Sequence, residues 1–348
     1  MNKKAFTAIF SMMLILSLVL AGCGTRGAET NNNPSASNSE ESKTDNKVYT
    51  MKVSYENNPG EPVDEAVNEW KRLAEEQSGG RLTLELYPSS QLGAKKDVIE
   101  LMKTGTNVIA IADASFLADY VPDFGILAAP YLADDFEKLF KATQSDWFKD
   151  LEQQLQGKGL HIVTTKWNYG VRHLLTKNAV ASPADLNGLK IRVPNADMSI
   201  KAFEAMGATP TPMPLGEVYP ALSQGVVHGA ENPLPVLYGA KLHEQAKHLS
   251  LTGHQIVVSQ WLAGSYIETL PEDLMQILKE TGDKAGEVMN EIVKNADEDM
   301  IKKMEQEGVT VSEVDRELFR EAAKGVYDQF PEWSPGLYDK VQEIINGN

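Results

Sequence analysis

Apolar and polar residues alternate along most of the chain with one of two periods. Residues 49–55 alternate with period two, which predicts a strand, and residues 63–77 carry their apolar side chains on one helical face. Further strands are predicted at 82–87, 107–112, 161–165, 190–193, 208–210, 229–231 and 308–311, and further helices at 97–102, 136–155, 198–206, 217–224 and 271–307. This order of elements predicts an α/β fold in which helices cover the strands.

The N-terminal residues follow a different pattern. Lys3 and Lys4 precede an apolar run, and the small residues of Leu20-Ala-Gly-Cys23 end it. A basic, an apolar and a small-residue region in this order predict an export signal over residues 1–22, with a retained anchor helix as the alternative. Cys23 is the only cysteine of the chain, so no intramolecular disulfide can form.

The four residues that end at Cys23 resemble a bacterial lipobox. The resemblance implies cleavage before Cys23, attachment of lipid to it, and an extracytoplasmic protein held on the outer face of the cell membrane. Residues 23–47 are rich in Asn, Ser, Thr, Glu and Gly and nearly free of apolar side chains. This composition predicts a lipid-anchored flexible tether.

The charge of the chain limits its partners. The formal net charge of the 348 residues is -16 at pH 7, so we expect no nucleic-acid partner. A protein this acidic binds an anion only where positive groups are locally concentrated. The sequence offers such a group in Arg192.

Two short motifs place polar side chains at the ends of predicted strands. In Arg192-Val-Pro194-Asn195 and in Glu231-Asn232-Pro233, a proline stops strand pairing beside the polar residue. An Arg so placed can hold a carboxylate with two parallel charge-assisted hydrogen bonds, and an Asn beside it can bind a hydroxyl. The alternative interpretation is that Arg192 is a surface cation and Asn232 a turn residue.

Six segments, in this order, resemble the solute-binding proteins of tripartite ATP-independent periplasmic (TRAP) transporters, the DctP family. They are residues 86–93, 130–132, 182–195, 207–214, 217–219 and 229–233. The resemblance implies a two-lobed periplasmic-binding-protein fold with crossing hinge strands and a long helix that spans both lobes. It implies lobe I at 48–169 and 258–297, lobe II at 170–257 and 298–348, and closure of the lobes on a ligand. The implied partners are a small organic acid and the TRAP membrane permease subunits, and we expect a monomer.

The resemblance also implies binding residues. The family's principal carboxylate-binding arginine matches Arg192, a second arginine matches Arg172, and the family asparagine matches Asn232. In sialic-acid-binding members, further contacts match Asn195, Asp113 and, as an apolar wall, Leu215. Their first-strand asparagine matches Glu56, with Asn57 beside it, and a basic position matches Phe116.

These departures from the sialic-acid binders bear on the ligand. They favour a smaller sugar acid, such as a hexuronate or a keto-sugar acid. A C4-dicarboxylate or sialic acid remains an alternative ligand, and a ligand-sensing receptor for a membrane kinase remains an alternative function.

Other chemistry finds little support in the sequence. The six histidines show no metal-ligand spacing, and no nucleophile, zinc-protease or phosphate-binding motif is present, so we expect no metal, no cofactor and no enzyme. Glu231 and Asp113 could be compared with a glycosidase pair, but carboxylates at strand ends are usually caps or ligand acceptors. Four aromatic residues are interpreted as core residues, with a stacking platform for a sugar as the alternative: Trp167, Tyr169, Tyr219 and Trp261.

Overall fold

The computed structural model describes residues 47–347, in which strands and helices alternate as expected. The strands are β1 (Tyr49–Ser54), β2 (Leu82–Tyr87), β3 (Val108–Asp113), β4 (Leu160–Thr176), β5 (Lys190–Val193), β6 (Thr209–Pro212), β7 (Gly229–Pro233), β8 (His248–Gly264) and β9 (Thr310–Ser312). The α-helices are α1 (Pro62–Gln77), α2 (Lys95–Lys103), α3 (Ala114–Leu117), α4 (Phe136–Thr143), α5 (Asp146–Gln156), α6 (Asp197–Ala205), α7 (Val218–Ser223), α8 (Leu234–Gly239), α9 (Glu272–Gln306), α10 (Arg316–Ala323) and α11 (Leu337–Asn346).

One mixed sheet runs through both lobes, in the order β2-β1-β3-β8-β4-β7-β5-β6, with β9 also paired to β8. The outer strands are parallel within each lobe, as β1 with β2 and β3, and β5 with β6 and β7. Between them β4 and β8, each 17 residues long, are antiparallel. The end of β8 pairs with β3 and its start pairs with β9, so these two long strands cross between the lobes.

Helix α9 has 35 residues and contributes to the cores of both lobes. Leu278 and Met289 pack with α1 and β1, whereas Met304 packs with residues of α7 and α8. At Gly286 an added Cβ would lie 2.6 Å from the carbonyl oxygen of Lys166 in β4, so glycine permits the close approach of helix and crossing strand. The lobe-spanning helix predicted at 271–307 is confirmed.

One predicted helix is wrong in its extent. Residues 136–155 form two helices, because Ser145 interrupts the run: its hydroxyl accepts from the amide of Phe148 at 3.2 Å and so caps α5. The strand predicted at 161–165 is also longer in the structure, since β4 continues through the second lobe.

The last segment of the chain divides its packing between the lobes. In α10, Phe319 packs with Phe203, whereas Val341 of α11 packs in the core that contains Leu139 and Phe148. The lobe boundaries stay a prediction.

No helix within residues 47–347 has the length and hydropathy needed to cross a membrane. The predicted signal, Cys23 and almost all of the predicted tether lie outside the described residues.

Candidate functional site

A cavity lies between the lobes where β1, β3, β5 and β7 reach their carboxyl ends. In open α/β sheets this edge is the usual place for a ligand. The inner cavity is lined by Glu56, Lys95, Asp113, Phe116, Tyr169, Arg172, Arg192, Pro194, Leu215 and Asn232. An adjoining outer cavity of about 140 Å³ shares five of these residues and adds Ala94, Lys96, Asp97, Asn195, Met213 and Pro214. The structure therefore brings together every predicted binding residue except Asn57.

Arg192 is a buried cation that forms no salt bridge with another described residue. Its side chain, in a residue only 3% exposed, donates from Nε and Nη2 to the carbonyl oxygen of Met213 at 3.0 and 2.8 Å. Within residues 47–347 it forms no ion pair, unlike Arg172 and Lys95 beside it. Burial lowers the pKa of the guanidinium to about 10, although Glu231 and Glu56 act in the opposite direction. The carbonyl fixes one edge of the guanidinium and leaves Nη1 for an anion.

Arg172, in contrast, is neutralised by Glu231. The register of β4 and β7 places Leu174 opposite Glu231, and the Arg172 guanidinium reaches the carboxylate with Nε and with Nη2, the latter at 2.6 Å. His254 Nε2 lies 3.2 Å from the same carboxylate. Burial opposes ionisation of Glu231, but Arg172 and His254 prevail and lower its pKa to about 2.

The pairing with Glu231 has two consequences. Arg172 retains Nη1 for a ligand but adds little net charge to the site. Glu231, ionised and fully paired, cannot serve as the general acid of a glycosidase pair with Asp113 near neutral pH.

A second ion pair, which the sequence did not reveal, lines the other side of the cavity. Lys95 Nζ lies 3.1 Å from Glu56 Oε2, and both side chains are largely buried. Lys95 also lies 4.7 Å from the ring centroid of Phe116. Burial opposes the charge of Lys95, yet Glu56 and Asp113 raise its pKa. One feature of the sequence indicated a nearby cation. Glu56 is acidic, whereas the resemblance led us to expect asparagine at this position.

The remaining polar groups can read hydroxyls. Asp113 caps α3, with Oδ1 accepting from the amide of Ser115 at 3.0 Å and from its hydroxyl, so Oδ2 is available to a ligand. Asn232 is 4% exposed and lines the inner cavity, and Asn195 lines the outer one. Leu215 and Phe116 supply apolar walls.

Tyr169 and Asn57 differ from their expected places. Trp167 and Trp261 are core residues, as interpreted, but Tyr169 lines the inner cavity, and burial raises its pKa to about 12. Asn57 lines neither cavity and lies behind Tyr169, with its Nδ2 3.2 Å from the tyrosine hydroxyl. The Tyr219 hydroxyl donates a hydrogen bond to Oε2 of Glu244 at 2.7 Å, away from the site. No cluster of metal-ligating side chains occurs within residues 47–347.

The sequence profile of the family described as bacterial extracellular solute-binding protein, family 7 (DctP), matches residues 53–332. The chain belongs to this family of TRAP-type solute-binding proteins. The predicted family and two-lobed fold are thereby confirmed, and the family is one of transport proteins that work outside the cytoplasm.

Three relatives help to define the site. A TRAP solute-binding protein from Ochrobacterium anthropi, solved with L-fuconate, is 50% identical, with a TM-score of 0.85 over 86% of this chain and 100% of that one. One from Actinobacillus succinogenes, solved with L-galactonate, is 40% identical with the same TM-score and coverage. The sialic acid-binding periplasmic protein SiaP of Vibrio cholerae is 32% identical over 76% of this chain and 83% of its own.

Proposed function

We propose that the protein is the solute receptor of a TRAP transporter and that its ligand is a six-carbon sugar acid of the L-galactonate type. Arg192 carries this proposal, because a buried guanidinium without a carboxylate partner requires an anion when the cleft closes. The two solved relatives noted above bind L-fuconate and L-galactonate, and L-fuconate is the 6-deoxy form of L-galactonate. Within the sugar acids, this similarity favours an aldonate over a hexuronate or a keto-sugar acid.

The pattern of ion pairs in the cavity favours a ligand with a single carboxylate. Arg172 is paired with Glu231 and Lys95 with Glu56, so Arg192 alone among the cations that line the inner cavity forms no salt bridge. A C4-dicarboxylate would bring a second negative charge towards Glu56 and Asp113. The hydroxyls of an aldonate fit these same groups, because an ionised carboxylate accepts hydrogen bonds from hydroxyls. Sialic acid is not favoured, because Phe116 and Glu56 stand where its binders have a basic residue and an asparagine, as the sequence indicated.

A thermal-shift screen of aldonates, hexuronates, keto-sugar acids, C4-dicarboxylates and sialic acid tests the ligand class. We expect L-galactonate and L-fuconate to give the largest shifts, since a ligand that binds only the folded state stabilises it by about 2.7 kcal/mol at a hundredfold excess over Kd. Larger shifts with succinate or malate, or with sialic acid, would contradict the aldonate assignment. The relative effect of the two aldonates reports whether the sixth carbon lies near Phe116 and Leu215 or near polar groups.

The lipid anchor is a separate part of the proposal. Cys23 is the only thiol of the chain and ends a signal-like segment, so we expect it to carry the lipid and to be the first residue of the mature protein. Cys23→Ser should leave an uncleaved precursor or release the protein from the membrane, as fractionation would show. A Cys23→Ser variant that is still processed and membrane-bound would exclude the lipoprotein form.

A ligand-sensing role beside a membrane kinase is distinguished by whether two permease subunits co-purify with the protein.

A further inference from the structure

Glu61 is a carboxylate buried where the two lobes meet. It precedes α1, and its residue is only 5% exposed. Its Oε1 accepts from the backbone amide of Asn58 at 3.0 Å and its Oε2 accepts from Asn57 Nδ2 at 2.7 Å. Asn58 in turn donates from Nδ2 to the carbonyl oxygen of Gly239 at 3.1 Å.

Gly239 ends α8, and it lies directly on the Glu61 side chain. A Cβ added to Gly239 would lie 2.6 Å from Cδ and from Cγ of Glu61, so any other residue there would displace the carboxylate. The start of α1 packs in the core of lobe I, and α8 packs in a core of lobe II. The contact between Glu61 and Gly239 therefore joins the two lobes.

The same carboxylate is connected to the ligand cavity. Asn57, held by Glu61, also lies 3.2 Å from the hydroxyl of Tyr169, and Tyr169 lines the inner cavity. Hydrogen bonds from Glu61 through Asn57 to Tyr169 thus link the lobe contact to the inner cavity.

We propose that Glu61 is a positioning residue. When α8 closes over Glu61, the carboxylate holds Asn57, and Asn57 in turn orients the Tyr169 hydroxyl towards the bound ligand. The proposal rests on the proposed function, because it places the ligand beside Tyr169. Glu61 itself touches no ligand, and its role is to couple lobe closure to the geometry of the cavity.

Closure over Glu61 also links binding to pH. Burial raises the pKa of Glu61 to about 7, against the hydrogen bonds from Asn57 and Asn58 and with a contribution from Asp64. Other charged or titratable groups around the contact are Glu65 of α1, Tyr238 of α8 and, on α9, Asp299 and Lys303. In the open cleft that the proposal requires, Glu61 would return to water, where its ordinary pKa is 4.5.

The sign of the effect follows from these two values. The closed state binds the proton more tightly, so the Glu61 contribution to affinity is fully present below pH 4.5 and is lost progressively as the pH rises to about 7. The window lies between the ordinary carboxyl value and about 7. In that range affinity should fall by up to about tenfold per pH unit.

A double-mutant cycle on Glu61 and Gly239 tests the contact, with L-galactonate as the probe. Gly239→Ala forces a methyl group against the carboxylate, so its Kd should rise by roughly five- to a hundredfold, the range expected for overpacking. Glu61→Ala in the Gly239→Ala background removes the clash and should recover much of that loss, although Glu61→Ala alone weakens binding. Gly325→Ala is the matched control, because nothing lies within 4 Å of its added Cβ.

Glu61→Gln provides the second readout. It preserves the shape of the side chain but has one acceptor oxygen in place of two and cannot titrate, so the Kd of this variant should lose the pH dependence that the wild type shows between about pH 4.5 and pH 7. Additive effects in the cycle, or an unchanged pH profile in Glu61→Gln, would overturn the inference while leaving ligand binding intact. Failure of the wild type to bind any sugar acid would instead overturn the proposed function.

Discussion

Replacing Arg192 by alanine should weaken sugar-acid binding by roughly a hundredfold to ten-thousandfold. The ligand carboxylate would enter a cleft that retains Glu56, Glu231 and Asp113 and has lost the one lining cation that forms no salt bridge. Each charged hydrogen bond lost costs about 1.5–3 kcal/mol, and Arg192 supplies up to two of them. Titration calorimetry with L-galactonate measures the loss directly.

The Arg192→Lys variant separates charge from geometry. Lysine keeps the cation but cannot both donate to the Met213 carbonyl and present a flat second edge to the ligand. We expect a loss of roughly ten- to a hundredfold, between the wild type and Arg192→Ala. Arg72→Ala, at an exposed arginine on α1, is the control and should bind like the wild type. Equal affinities in all four proteins would remove Arg192 from the site.

Glu231→Ala should destabilise the fold by about 3–5 kcal/mol, because it leaves the Arg172 cation buried without its partner. Both side chains are almost completely buried, at 2% and 6% exposure, and His254 loses its contact at the same time. The change in the free energy of unfolding is measured by chemical denaturation at pH 7.

The matched control for this variant is Glu298→Ala. Glu298 is a carboxylate on α9 whose side chain is 90% exposed, and its ion pair with Lys302 is long at 3.9 Å. Its loss should change the free energy of unfolding by less than about 0.5 kcal/mol. Similar small losses in both variants would show that the Arg172–Glu231 pair contributes little to the fold.

Acid provides an independent check on the same pair. The pKa of Glu231 is depressed in the folded protein, so its contribution to stability is present above the ordinary value of 4.5 and is lost as the pH falls towards about 2. The loss on acidification should be smaller in Glu231→Ala, since that variant no longer has the carboxylate to protonate.

Residues next to strand-ending prolines were predictable from the sequence. Pro194 and Pro233 stop their strands beside Arg192 and Asn232, and both side chains line the cavity as the motifs indicated. The long helix was also predictable, because Pro271 and the acidic residues after it form a typical helix start. Local chemistry decides both features, so a single sequence is sufficient to read them.

Contacts that depend on register or on the approach of the lobes were not predictable. Glu231 reaches Arg172 only through the antiparallel pairing of β4 with β7, which pattern alone does not fix. Lys95 lies on α2, distant in sequence from the strand-end motifs, and it meets Glu56 only once α2 packs beside β3. Tyr169 was interpreted as a core aromatic, because the alternation of side chains along β4 does not show which of them faces the cleft. The burial of Glu61 requires both lobes in place.

The measurement that most directly tests the central claim is a crystal structure of the mature protein with bound L-galactonate. We expect the ligand carboxylate within hydrogen-bond distance of Arg192, the hydroxyls at Asp113, Asn232 and the Glu56–Lys95 pair, and Tyr169 against the ligand. A carboxylate bound to Lys95 with the Arg192 guanidinium free of the ligand, or a ligand outside this cavity, would contradict the account.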